Sequence, residues 1–265
     1  MQAPTAPNTY QERRGQIETY FDRTAMQAWE QLTSTAPVGR IRATVRAGRD
    51  RMRQQLLDWL PQDLHGLRIL DAGCGTGALA MAAARRGAHV VAIDLSPSLV
   101  EVALRRVAQH LDTFDNGGQI DFLSGDFTDE ALGEFDHVVA MDSLIHYNAE
   151  DAVAVLQAWA RRTHGSMAFT FAPSSPLLKA MHTVGRLFPR GDRAPAIEPV
   201  AERALRRMLA TDDGLALWRP ERTQRVASGF YTSQAMELKN VTPPSSRLVP
   251  PAEGPCASAA GRRVS

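Results

Sequence analysis

Cysteine is scarce in this chain of 265 residues: only Cys74 and Cys256 occur, far apart, the second in a stretch rich in proline, serine and alanine. Such usage argues against a disulfide framework or a cysteine-built zinc site and points to a reducing compartment. Net charge is lacking too, since 30 Lys and Arg face 29 Asp and Glu. A formal charge of +1 offers no broad basic footprint of the kind that non-specific nucleic-acid binding needs, so nucleic acid is not expected as a partner. Long apolar runs are missing as well. Nothing approaches the roughly 18 to 20 residues of a membrane span, and the polar, charged N-terminal stretch holds no signal core. The expectation is a cytoplasmic protein. Peripheral contact with a membrane stays open, because amphipathic contact leaves a weaker trace than a span.

What is present suffices for one good-sized core with a small appended lobe: 44% of the side chains are hydrophobic and 22% charged. Near-helical spacing of Ile17, Tyr20, Phe21, Met26 and Trp29 predicts a helix from about Tyr10 to Leu32. A second helix is expected from Ile41 to Leu60, where Arg46, Arg49, Arg51 and Arg53 read as a solvated face opposite Val45, Met52, Leu56 and Leu57. Residues 1–60 thus form a helical arm.

After Pro61 the pattern alternates. Short strands are expected at Arg68 to Ala72, Ala88 to Ile93, Gln119 to Leu123, Phe135 to Met141 and Ser166 to Phe171. Helices fall at Gly77 to Arg86, Ser96 to His110 and Asn148 to Arg162, the second opened by a Ser-Pro start signal. Apolar strands separated by helices imply an α/β fold, a mostly parallel sheet covered on both faces. An insertion over 173–212 interrupts the phase, strands at Leu215 to Arg219 and Gln224 to Ser233 close the sheet, and 239–265 reads as a disordered tail.

Asp71-Ala72-Gly73-Cys74-Gly75-Thr76-Gly77 joins the first strand to its helix, the place where open parallel sheets bind ligands. Gly73, Gly75 and Ala78 also fit a dinucleotide fingerprint, so a nicotinamide-dependent oxidoreductase is one reading. Asp71 favours another. A carboxylate at the loop would repel a pyrophosphate but attract the ammonium and sulfonium of S-adenosylmethionine. Asp94, followed by Leu95, can accept from the ribose hydroxyls, Asp126 from the adenine amino group, and Phe127 can wall the base. Alternatively, Asp94 and Asp126 merely cap the segments that follow them. Cys74 receives no catalytic role. The fourth strand ends in Met141 and delivers Asp142 to Tyr147 to the cleft, where His146 is the leading titratable candidate.

The glycine loop with one carboxylate after each of the first three strands resembles the class I S-adenosylmethionine-dependent methyltransferases, over Leu67 to Tyr231. That implies a Rossmann-like, seven-stranded, mostly parallel sheet over 61–238. Met141 to Tyr147, Tyr20-Phe21 with Trp29, Leu177 to His182 leading to Leu187-Phe188-Pro189-Arg190, and Ser228 to Tyr231 together resemble the magnesium-protoporphyrin IX O-methyltransferases of bacteriochlorophyll synthesis, over roughly Glu18 to Leu238. The resemblance implies methyl transfer to the ring C propionate of Mg-protoporphyrin IX, giving the 13-monomethyl ester and S-adenosylhomocysteine. It places catalytic roles on Tyr20 and His146, with the arm as a lid, and donor contacts on Asp71, Gly73, Gly75, Gly77, Asp94, Leu95, Asp126, Phe127 and Met141. Leu177, Met181 and Phe188 of the insertion would meet the porphyrin. The magnesium arrives inside the substrate and no protein-bound metal is expected; the large subunit of magnesium chelatase is a candidate partner. A methyltransferase of another small carboxylate or hydroxyl compound is the rival within the fold.

Overall fold

The computed structural model describes residues 9–20, 39–109, 117–174, 197–241 and 262–264. Two helices, α1 (Thr9–Tyr20) and α2 (Arg40–Trp59), precede the alternating unit. This runs β1 (Arg68–Ala72), α3 (Ala78–Ala84), β2 (His89–Asp94), α4 (Pro97–Ala108), β3 (Gln119–Ser124), β4 (Phe135–Ala140), α5 (Ala149–Ala160) and β5 (Thr163–Phe171). Then come α6 (Glu202–Thr211), β6 (Trp218–Ser228), β7 (Tyr231–Asn240) and β8 (Arg262–Val264).

The strands form one sheet in the order β6-β7-β5-β4-β1-β2-β3-β8. Pairing is parallel from β5 through β4, β1 and β2 to β3, and antiparallel where β7 meets β5, β6 meets β7 and β8 meets β3. Because side chains alternate across a strand, Ile69 and Val90 enter the core on one face while their neighbours Leu70 and Val91 enter the other. α2, α3 and α4 contribute Met52, Leu56, Leu79, Ala80 and Val100 to the first layer. α5 and α6 contribute Leu156, Trp159, Leu205 and Leu209 to the second. The chain reverses between β1 and its neighbours β2 and β4, which opens a crevice at the carboxyl ends of β1 and β4. Helix starts follow local chemistry: Ser96 Oγ accepts from Leu99 N at 3.3 Å with Pro97 behind it, and Asn148 Oδ1 accepts from Asp151 N at 2.7 Å.

The last hairpin departs from expectation. β6 runs through to Ser228 and β7 begins only at Tyr231, because Gly229 at φ 57° makes the reversal. The strand is hidden in the sequence by Pro220, Glu221 and Arg222, which an edge strand with a bulge between Pro220 and Arg222 tolerates. The 239–265 stretch also differs from a wholly disordered tail: β7 continues to Asn240, and Arg262–Val264 pairs with Phe122 to Ile120. The helix expected beyond Tyr20, most of the insertion (175–196, with Leu177, Met181 and Phe188), and 242–261 lie outside the described residues.

Candidate active site

A cavity of about 490 Å³ opens at the carboxyl ends of β1 and β4, a volume suited to a small-molecule site. At one end lie Asp71, Gly73, Cys74, Gly75, Asp94 and Leu95, with Phe127 and Met141 on the wall. Gly73 and Gly75 take positive φ (80° and 54°), and the N–H groups of Gly73 and Cys74 both donate to Ile93 O, which folds the loop tightly over β2.

Asp71 is 2% exposed and its Oδ2 has no hydrogen-bond partner. Burial pushes its carboxyl up to about 7, with the Asp94 carboxylate adding to the rise. An acceptor held without a partner in a dry wall suits a cationic donor group, and Ser143 Oγ, also on the cavity lining, is likewise buried without a partner. The two aspartates can therefore hold the amino acid and ribose parts of S-adenosylmethionine. Asp94 performs structural work as well, since Oδ2 accepts from Gly75 N at 2.8 Å and Oδ1 from Ser96 N at 3.0 Å. With Leu95 N–H also bonding the carboxylate, three of its roughly four acceptor sites are used and one is left for a ribose hydroxyl. Burial holds the Cys74 thiol well above its ordinary pKa, so it stays protonated.

Gly77, Asp126 and Tyr20 are not among the cavity-lining residues. Gly77 begins α3 at φ 77°, and a Cβ there would stand 3.1 Å from Ala103 and the Phe122 ring, so its need is helix packing. Asp126 Oδ1 already accepts from Tyr10 Oη at 2.8 Å, Thr128 N at 2.8 Å and Thr128 Oγ1 at 2.7 Å. Arg14 Nη1 stands 3.5 Å from Oδ2. The adenine role expected of Asp126 thus meets a carboxylate engaged by the arm and by its own turn. Phe127, next to it, stays on the wall because its carbonyl accepts from Arg162 Nη2 at 2.6 Å and Trp159 Nε1 at 3.1 Å.

Helix α1 reaches the cavity through Ile17, which is on its lining. Tyr10 stacks on Tyr147 with ring centroids 5.1 Å apart, and Arg13 Nη2 meets Glu198 Oε1 at 2.6 Å. Tyr20, on the last turn of α1, is partly exposed, and burial raises its phenol pKa so that it remains a proton donor.

His146 closes a short 3₁₀ turn after β4, 8% exposed and on the cavity wall. Sequence reasoning passed over its neighbour Asp142, which has φ 55°. Its side chain is 4% exposed, and Arg49 Nη1 meets Oδ2 at 2.6 Å. Tyr231 Oη donates to Oδ1 at 3.1 Å, Ser233 Oγ donates to the same oxygen at 3.3 Å, and Asp142 N donates to Thr170 Oγ1 at 2.7 Å. Burial and the adjacent carboxylate raise the Tyr231 pKa, keeping its hydroxyl a donor. A non-glycine residue in left-handed backbone is strained and persists only where surrounding contacts hold it. Arg46, Arg49 and Arg53 of α2 line the same cavity, which corrects the reading of that helix face as solvated: Arg49 is half of a partly buried ion pair. Their 3–4–7 spacing was visible in the sequence, but the carboxylate opposite was not.

Among the described residues, no group of three or more His, Cys, Asp or Glu is arranged to hold a metal ion, and no helix is long and apolar enough to cross a membrane.

The chain is similar to known proteins over most of its length. A family model described as magnesium-protoporphyrin IX methyltransferase C-terminus matches residues 140–240, and a methyltransferase domain model matches 69–164. The chain is 46% identical over 234 residues to the magnesium-protoporphyrin O-methyltransferase of Rhodobacter capsulatus, covering 88% of this chain and 99% of that protein. It is 29% identical over 223 residues to the protein of the same name from Synechocystis, covering 83% and 94%. A crystal structure of magnesium protoporphyrin IX methyltransferase from Synechocystis with bound SAH superposes with a TM-score of 0.75 at 27% identity, over 86% of this chain and 99% of that one.

Proposed function

The chain belongs to the magnesium-protoporphyrin O-methyltransferase family, and from that membership we propose that it methylates the ring C propionate of Mg-protoporphyrin IX, giving the 13-monomethyl ester. It is an S-adenosylmethionine-dependent methyltransferase. The observation that carries the reading is the unpartnered, buried Asp71 oxygen in the same cavity wall as His146. It pairs a seat for a cationic donor with a titratable group for an acid acceptor.

When bound, S-adenosylmethionine supplies an electrophilic methyl group on a sulfonium centre. Asp71 and Asp94 hold the donor's cationic and ribose parts, Phe127 and Met141 wall it, and the glycine loop lets the backbone approach. Methyl transfer is an in-line displacement, so alignment of acceptor oxygen with methyl carbon accounts for much of the rate. A propionate beside a large apolar macrocycle is desolvated, which raises its pKa and favours entry as the acid. His146 then takes that proton or holds the carboxylate in line. Tyr20, protonated throughout, donates to the other carboxyl oxygen when the end of α1 swings inward from its position beyond Ile17. In this reading α1 is a lid, Asp126 anchors it through Tyr10, and Leu177, Met181 and Phe188 complete the porphyrin wall. The enzyme would work in the cytoplasm and take its poorly soluble acceptor from the large subunit of magnesium chelatase or from a membrane surface.

The test is direct. Purified protein with S-adenosylmethionine and Mg-protoporphyrin IX should yield a monomethyl ester, identified by mass and by chromatography against the ring C and ring D isomers. Absence of ester, or methyl on another group, overturns the reading.

A further inference from the structure

The charges of the cavity are sorted. Asp71 and Asp94 stand at the glycine-loop end, whereas Arg46, Arg49 and Arg53 come from one face of α2. At 1.5 Å per residue their spacing makes a row about 10 Å long. The two ends of that row differ. The C-terminal end of α2 runs down toward the sheet edge opposite the cavity, where Arg86, past the last turn of α3, donates from Nη1 to Leu57 O at 2.6 Å. Arg53, nearest that end, is therefore the deepest of the three, toward the strand ends that carry the glycine loop, and Asp50 Oδ1 stands 2.8 Å from it. The N-terminal half lies against the β6–β7 turn: a Cβ on Gly48 would come within 2.5 Å of the Tyr231 ring, and one on Gly229 would run into the Thr44 side chain. Arg46 belongs to this end, one helical turn beyond the Arg49–Asp142 pair.

The geometry points to Arg46 as a specificity-determining residue that receives the acceptor carboxylate not undergoing methylation. The inference rests on the acceptor reading above. Mg-protoporphyrin carries two propionates on neighbouring rings, so seating one at His146 commits the other to a position nearby. A carboxylate drawn into a partly dry cavity needs a charged partner, and a guanidinium offers a permanently charged, bidentate fork. Arg49, held by Asp142, spaces the carboxylate site from the donor end. The row would thus read the diacid and weaken rebinding of a product esterified on the wrong ring.

The test uses the full chain as wild type, R46Q and R46K, with two acceptors: Mg-protoporphyrin IX and its analogue carrying a primary amide in place of the ring D carboxylate. For the wild type, KM should be about tenfold higher for the amide, a typical effect of losing one charge-assisted contact. R46Q should raise KM for the diacid by a similar factor with no further rise for the amide, and R46K should recover part of the loss. Equal loss on both acceptors, an unchanged KM for the diacid, or a weakened donor Kd with unchanged acceptor KM overturns the inference, the last by assigning Arg46 to the donor's own carboxylate. Should R46Q not fold, the wild-type comparison decides, and equal KM values for the two acceptors overturn it. If the wild type forms no ester at all, the functional reading itself has failed and the inference goes with it; ester formation with an unmoved R46Q overturns the inference alone.

Discussion

Arg49 Nη1 lies 2.6 Å from Asp142 Oδ2, so a helix that precedes the sheet is clasped to the loop that follows β4 and carries His146. The pair is far from an ordinary surface contact, with the two side chains 16% and 4% exposed. Tyr231 and Ser233 add neutral donors from β7. Three separate parts of the chain converge on one carboxylate.

Arg49→Ala leaves that carboxylate with the Tyr231, Ser233 and Thr170 hydroxyls but without its paired guanidinium. It should cost about 1 to 3 kcal/mol, below the scale for a fully buried pair because both residues line the cavity. Urea unfolding of R49A, D142N and the double variant measures it. The double variant should lose less than the sum of the two single ones, because the charge no longer needs its partner.

Donor binding should depend on pH through Asp71, whose carboxyl is raised to about 7 in the free protein. A cationic group binds the ionised form, so the Kd for S-adenosylmethionine should rise as pH falls from 8 to 6, approaching tenfold per unit below the pKa. Asp71→Asn should weaken binding and flatten that dependence. The linkage to folding has the opposite direction. With the folded pKa above the unfolded one, the folded state holds the extra proton between pH 4 and 7, so this group's contribution to stability falls as pH rises through that window. The ligand-free D71N protein should therefore match or exceed the wild-type melting temperature at pH 8, as read by calorimetry.

His146→Ala should lower kcat by about 10² to 10⁴, the range for a positioned acid–base group. The donor Kd, measured by titration calorimetry, should move by less than about threefold. Unchanged turnover would remove the catalytic role from this histidine.

Two glycines separate packing from binding. Gly77→Ala places a methyl in left-handed backbone 3.1 Å from the Phe122 ring, at a cost of about 1 to 2 kcal/mol, and its main effect should be on thermal stability. Gly73→Ala puts a Cβ 2.5 Å from Ser143 Cβ, inside the cavity wall, and should raise the donor Kd at least tenfold. Melting curves and donor titrations on the two variants distinguish these outcomes.

The parallel strands, the glycine loop and its two carboxylates were legible because each is a local pattern: a short apolar run, a cluster of glycines, an aspartate at a strand end. Asp94 also accepts from Ser96 N, so the capping reading is met at a residue to which a ribose role is proposed. Contacts across long separations were hidden. Arg49 and Asp142 are 93 residues apart, and an arginine series at helical spacing looks the same whether it faces water or a carboxylate. Tyr10 reaches Asp126 across 116 residues, which no strand-end pattern reveals. β6 was masked by a proline that only an edge position permits, and Arg262–Val264 by a stretch whose composition resembles a tail.

Helix α2 is one uninterrupted segment, Arg40–Trp59, and it carries two duties on adjoining positions: Met52 and Leu56 are wholly buried in the core, while Arg46, Arg49 and Arg53, interleaved with them at helical spacing, line the cavity. A protein engineer who rewrites the cavity-facing arginines of this twenty-residue segment must therefore keep Met52 and Leu56, which hold it to the Rossmann-like sheet. Asp142 adds a second limit, since any replacement helix must still present a cation at position 49.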